Sequence, residues 1–290
     1  MDLSLTVPAI RTTCPYCGVG CGVLVSPDGE GGTQISGDPD HPANFGRLCS
    51  KGSALAETLS FDGRLLHPMT RDAKGRMAQT SWDVALAQVA SGFRDALDRH
   101  GPDAIAFYVS GQLLTEDYYV ANKLMKGFLG SGNIDTNSRL CMASSVAGHK
   151  RAFGTDTVPG CYADLDQADL LILTGSNAAW CHPVLHQRMV KNRRERGARI
   201  VVIDPRRTAT AEDADLVLHV LPGTDSVLFS GLFASLAECE ALDRDFIGDC
   251  TSGFAAAIAR AKDIAPDLDT IAETCGIACE DVAKIGRAHV

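Results

Sequence analysis

No stretch of this 290-residue chain approaches the ~20 consecutive apolar residues that a membrane-spanning helix requires; the apolar run Leu170–Leu173 is only strand-length. Positive charge is also in short supply. Against 36 Asp and Glu stand 27 Lys and Arg, a net charge of −9, which argues against nucleic acid or an anionic membrane surface as the main partner. Any anion site must therefore be locally basic. The first residues, MDLSLTVPAIRTTC, hold no basic leader region, no apolar core of a signal and no twin arginine, so a cytoplasmic location is expected. Internal repeats and low-complexity segments are missing, as is a G-x-G-x-x-G turn, which argues against an ordinary NAD fold. What remains, 45% hydrophobic and 22% charged residues, is ordinary for a soluble globular protein with material for one large domain or two.

Cysteine, by contrast, is locally abundant. Cys14, Cys17 and Cys21 read C-x2-C-x3-C, and Cys49 follows after 27 intervening residues within FGRLCSKG. Three thiols within eight residues must share one local object. Gly18, Gly20 and Gly22 interleave them, and glycine lets a backbone curl around a compact body and turn amide N–H groups toward sulfur. Four thiolates and a wrapping loop suit a [4Fe-4S] cluster. A four-cysteine zinc site is the alternative, but such sites usually pair C-x2-C with a second close pair, which Cys49 lacks. A disulfide knot is the third option and needs an oxidising compartment. The other seven cysteines, Cys141, Cys161, Cys181, Cys239, Cys250, Cys275 and Cys279, are scattered and are expected mostly as free thiols.

The expected fold is α/β: a small β-rich cluster domain over residues 1–65, then an α/β region over 66–284 with a largely parallel sheet. In the first part, short extended pieces (Gly22–Ser26, Thr33–Ser36) alternate with Pro-Asp-Gly and Gly-Asp-Pro-Asp turns. In the second, Ser81 caps a helix with apolar residues Leu86, Val89, Ala90, Phe93 and Leu97, ended by Gly101-Pro102. A strand over Ala104–Val109 follows, then a helix capped by Thr115 and running to about Leu129, then a further helix after Cys141. Leu170–Thr174, Arg199–Ile203 and Leu216–Val220 read as buried parallel strands, with helices at Val184–Arg196 and from Ser226. The final Ile285-Gly-Arg-Ala-His-Val290 breaks a helical pattern and reads as a translated sequencing adapter, so 285–290 is expected to be a non-native tail on a fragment.

Three turns sit where parallel strands end. Gly175-Ser176-Asn177 follows the first, Asp204 with Arg206 and Arg207 the second, and Gly223-Thr224-Asp225 the third. Such positions receive phosphates, ribose hydroxyls or purine edges. Each alone is ordinary loop chemistry, but three at successive strand ends point to a bound nucleotide.

Taken as an ordered set, TTCPYCGVGCG, GDPDHPANFGRLCSKGSAL, DTNSRLCMASSVAG, TGSNAAWCHPVLHQR, VVIDPRRTAT and LPGTD resemble the N-terminal portion of the molybdopterin oxidoreductases. Within that family the resemblance is greatest to cytoplasmic assimilatory nitrate reductases, with periplasmic enzymes next. It implies a [4Fe-4S] cluster on Cys14, Cys17, Cys21 and Cys49, and molybdenum held between two molybdopterin guanine dinucleotides. By the same resemblance Cys141 ligates molybdenum and Lys51 lies between cluster and pterin. Gln112, Asn137, Gly175, Ser176, Asn177, His182, Asp204, Arg206, Gly223, Thr224 and Asp225 fall at cofactor-contacting positions. His149 departs from the tyrosine expected there. The implied reaction is two-electron reduction of nitrate to nitrite, with electrons entering at the cluster from a donor protein or reductase subunit (ferredoxin, flavodoxin or NADH-linked). Two alternatives stand beside it. In a formate dehydrogenase of the same family the metal-binding residue is commonly followed by His, where this chain has Met142. A non-catalytic iron–sulfur carrier would use only the first ~65 residues.

Overall fold

A computed structural model describes residues 8–287 apart from Glu240, and the side chains of these except Arg139, Cys141 and 285–287. The expected tail therefore lies outside the description at 288–290, while the backbone of 285–287 continues the last helix. The chain divides into two compact units. One comprises residues 1–59 together with 160–290, the other residues 60–159.

The first unit opens with an antiparallel sheet, β1 (Ile10–Thr13), β2 (Gly22–Pro27) and β3 (Thr33–Gly37), with β2 in the centre. The loop between β1 and β2 carries the first three cysteines, and the segment after β3 leads to the fourth. At Gly37 a side chain is impossible, because an added Cβ would lie 2.0 Å from the carbonyl oxygen of Gly46. That close backbone approach folds the 38–49 segment back on the sheet.

In the second unit, β4 (Met69–Arg71) pairs with β5 (Met77–Gln79) as a hairpin. Helix α1 (Trp82–His100) starts at Ser81, whose hydroxyl accepts the Val84 N–H (3.3 Å), and stops at Gly101 with φ 77°. Its apolar stripe is not covered as its spacing suggests. Phe93 meets Phe107 at 6.0 Å between ring centroids, but Leu86 and Val89 remain exposed. A two-stranded sheet, β6 (Phe107–Val109) parallel to β7 (Ile134–Thr136), is roughly 10 Å wide with its margins and cannot cover a helix of about 28 Å.

Two local expectations are corrected in this unit. The strand expected over Ala104–Val109 begins only at Phe107, because Pro102–Ala104 winds into a 3₁₀ turn, to which the fixed φ of proline is suited. Thr115 is not a cap but the first residue of α2 (Thr115–Asn122); the Asp117 carboxylate takes the Leu114 N–H instead (3.2 Å). The helix then widens into a π-helical turn, Lys123–Leu129. Helix α3 (Ala143–Phe153) follows Cys141 as expected.

The chain then returns to the first unit with α4 (Tyr162–Gln167) and β8 (Leu170–Thr174). Helix α5 (Pro183–Arg196) leads to β9 (Arg199–Ile203), and β10 (Leu216–Leu218) completes a wholly parallel sheet with β9 in the middle. Alternate residues of β9 face opposite ways. Val201 and Ile203 join a core with Leu218, Leu228, Leu232 and Ile271, while Ile200 and Val202 join Leu171, Leu173 and Ala211. Burial on both faces explains why the central strand β9 is continuously apolar, whereas on the edge strand β8 Ile172 and Thr174 stay exposed. The first of these cores is built by α6 (Asp225–Glu238) and, after the short α7 (Arg244–Cys250), which adds no residue to it, by α8 (Phe254–Ile264), α9 (Leu268–Cys275) and α10 (Cys279–Arg287) packing on one side. Among the described residues no helix is long and apolar enough to cross a membrane.

Candidate metal centre and strand-end turns

The loop that carries three of the thiols is closed on itself. The Cys14 N–H donates to the Cys21 carbonyl (2.8 Å), and Gly20, at φ 67°, turns the chain back between them. A left-handed backbone here favours glycine. Cys49 sits in extended conformation at the start of a helical turn, Ser50–Ser53, which carries exposed Lys51. All four sulfurs are free thiols; Cys14 and Cys21 are buried, Cys17 and Cys49 half-buried. They line one cavity together with Tyr16, Val19, Leu48, Gly52, Pro183 and Val184.

Crowding shows in the electrostatics. Burial, then the neighbouring Cys14, Cys17 and Cys49, push the Cys21 thiol up to about 11. A thiol so placed resists ionisation until a cation offsets both penalties, as metal ligation does. Among the described residues no three His, Cys, Asp or Glu side chains converge as the ligands of a single ion would, yet four thiols line one space. Soft thiolate donors lining an otherwise apolar cavity fit a four-iron cluster.

Asn44, unremarked in the sequence, holds the cage together. It is fully buried, accepts the Gly22 N–H (2.8 Å) and donates to the carbonyls of Gly22 (3.0 Å) and Arg47 (2.8 Å). One amide thus ties the residue after Cys21 to the residue two before Cys49. Asn44→Ala should lower stability of this unit by about 2 kcal/mol, since the Gly22 N–H and the Arg47 carbonyl lose the amide while the Gly22 carbonyl keeps the Asp38 N–H (3.0 Å). Denaturant unfolding followed by circular dichroism measures this, and a change under roughly 1 kcal/mol would mean that the amide is dispensable.

The strand-end residues gather along one sheet edge. Register sets Thr174 beside Ile203 and Ile203 beside Leu218, so the turns after β8, β9 and β10 leave the same edge. Gly175 takes φ 56°, and Asn177 accepts a hydrogen bond from the Thr210 hydroxyl (3.1 Å). Asp204 is buried and accepts the Arg206 N–H (2.8 Å). Ser176 is half-buried, while the Arg206 side chain is exposed. Gly223 has φ 86°, the Thr224 hydroxyl donates to the Leu221 carbonyl (2.7 Å), and Asp225 opens α6. His182 is half-buried at the start of α5. The carboxyl edge of a parallel sheet is where α/β folds take ligands.

The second unit repeats the pattern on a smaller scale. Val109 lies beside Thr136 at the carboxyl ends of β6 and β7. Asn137 follows β7 and accepts the Gly111 N–H (3.0 Å), next to exposed Gln112. Cys141 closes the helical turn Ser138–Cys141; its side chain lies outside the described residues.

Comparison with known proteins covers almost the whole chain. The family described as "Molybdopterin oxidoreductase Fe4S4 domain" matches residues 8–60 and "Molybdopterin oxidoreductase" residues 64–243. A nitrate reductase of Klebsiella oxytoca is 52% identical over 97% of the chain and 31% of its own length. A periplasmic nitrate reductase of Desulfovibrio desulfuricans is 46% identical over 74% of the chain and 29% of its own length. Among solved structures, acetylene hydratase from Pelobacter acetylenicus superposes with a TM-score of 0.82 at 23% identity, over 95% of this chain and 38% of that one, a likeness of fold. The chain thus spans about a third of the length of these relatives.

Proposed function

Because this chain belongs to the molybdopterin oxidoreductase family, we propose that it is the cluster-bearing portion of a molybdenum-dependent nitrate reductase of the cytoplasmic, assimilatory kind. The observation that carries the proposal is the cage of four thiols in the region matched as an Fe4S4 domain, followed by strand-end turns of the nucleotide-holding kind. Identity to nitrate reductases over nearly the full chain supports the substrate. Free thiols suit a reducing compartment.

In this reading nitrate, two electrons and two protons give nitrite and water. The molybdenum cofactor, when bound, supplies the centre at which oxygen is removed from nitrate. Cys14, Cys17, Cys21 and Cys49 hold the cluster at which electrons from a donor protein enter. The Cys141 thiolate is a soft ligand for molybdenum. Lys51, a cation two residues after the last cluster ligand, favours the reduced, more negative cluster. Gly175, Ser176, Asn177, Asp204, Arg206, Gly223, Thr224 and Asp225 grip one guanine dinucleotide, with His182 beside them. Gln112 and Asn137 are further residues that would hold the cofactor.

The complete protein should reduce nitrate with a reduced viologen dye as electron source, whereas the 290-residue chain alone should show little or no turnover. Robust turnover by the chain alone, or a complete protein that oxidises formate and leaves nitrate untouched, would overturn this reading.

A further inference from the structure

The thiol cage has two parts, the closed loop bearing Cys14, Cys17 and Cys21 and the separate segment leading to Cys49. Both are gripped from outside by side chains of α4 and α5, more than 140 residues away in sequence. Arg188 is 4% exposed. One of its terminal nitrogens donates to the carbonyls of Pro42 (2.8 Å) and Ala43 (3.2 Å), on the Cys49 segment. Its Nε donates to Asp166 (3.1 Å), and the other terminal nitrogen pairs with the second Asp166 oxygen. The guanidinium also lies against two rings, Phe45 at 5.3 Å and Tyr162 at 5.6 Å. Tyr162 completes the arrangement from the other side. Its hydroxyl donates to the carbonyl of Val19 (2.7 Å), with that of Gly18 at 3.3 Å, both in the three-thiol loop.

We propose that Tyr162, Asp166 and Arg188 are positioning residues forming one clamp that fixes Cys49 relative to the other three thiols. The role rests on the cluster reading above. A trans peptide points its C=O and N–H in opposite directions; with the Val19 carbonyl held outward by Tyr162, the Gly20 N–H turns back onto the Cys17 carbonyl (3.4 Å) and closes the loop behind that thiol. The choice of arginine follows from the geometry, because only a planar fork can serve two carbonyls and a carboxylate while stacked on rings. Asp166 is held below the usual carboxylate range chiefly by its hydrogen bond from Arg188, so the pair stays charged at neutral pH.

The test compares the iron-loaded chain with Tyr162→Phe and Arg188→Lys. Tyr162→Phe keeps the ring on the guanidinium and removes only the donor; Arg188→Lys keeps the charge and removes the fork. Each variant should load iron yet release it to a chelator about fivefold faster, the factor that one lost hydrogen bond represents, and each should shift the cluster midpoint potential, which follows the hydrogen bonding and solvent exposure of the sulfurs. If Arg188→Lys does not fold, Tyr162→Phe decides alone. Wild-type release rates and potentials in the folded variants would reduce these residues to packing. A wild-type chain that binds no iron would instead overturn the cluster reading, and the clamp with it.

Discussion

Replacing Cys141 with alanine in the complete enzyme is expected to abolish nitrate reduction while leaving the iron–sulfur signal unchanged. The expectation follows from Cys141 belonging to a different unit from the four clustered thiols. The four line a single cavity in the first unit, whereas Cys141 belongs to the second, in the turn that follows β7. If Cys141 is the molybdenum ligand proposed above, alanine removes that soft donor and touches none of the iron ligands. The loss should exceed the roughly 10–100-fold that changes in a metal site's outer partners cost, because a ligand itself is gone. Lys51→Met gives the contrasting result. Methionine keeps an apolar stem of similar reach and deletes the charge, so both metals should be retained while reduction of molybdenum by the physiological donor slows. Metal content measured beside activity in both variants separates ligation from electron delivery. Wild-type turnover in Cys141→Ala would remove Cys141 from the metal site.

The second large effect is expected in the 290-residue chain itself. Cys17→Ser should eliminate the broad visible absorption of the cluster and reduce iron from about four per chain to below one. Serine is nearly isosteric, so the half-buried position loses little packing. Its hydroxyl, however, is far harder to ionise than a thiol and is a poor soft ligand. Retention of wild-type iron and absorption in Cys17→Ser would remove that residue from the ligand set.

What was legible in advance was whatever the chain encodes locally. The run Cys14 to Cys21 could only build one object, and it does line one cavity with Cys49. The strands β8, β9 and β10 stand out as apolar runs, and in the central β9 the reason is cover on both faces of the sheet. Local reading failed where neighbouring signals compete. Thr115 is a good cap by type, but Asp117 is placed to satisfy the Leu114 N–H and takes that role. It also failed on the apolar stripe of α1, whose spacing was read correctly and whose burial depends on partners that the two strands beside it do not supply.

The residues that tie the cage together were illegible for a different reason. Asn44 acts across 22 residues, Tyr162 across 143 and Arg188 across 146. Tyr162 lies in none of the family-like segments; Arg188 closes one of them, TGSNAAWCHPVLHQR, yet α5 reads as one more basic helix and only the fold turns this arginine inward. Asn44 did lie within a motif that drew attention for its cysteine, and a polar residue between two turns carries no sign that it will be buried.

The central claim, that four thiols of this chain hold a four-iron cluster, is tested most directly by metal and sulfide analysis of the chain purified without oxygen. The account predicts a brown protein with about four irons per chain and no stoichiometric zinc. A colourless protein carrying one zinc would contradict it.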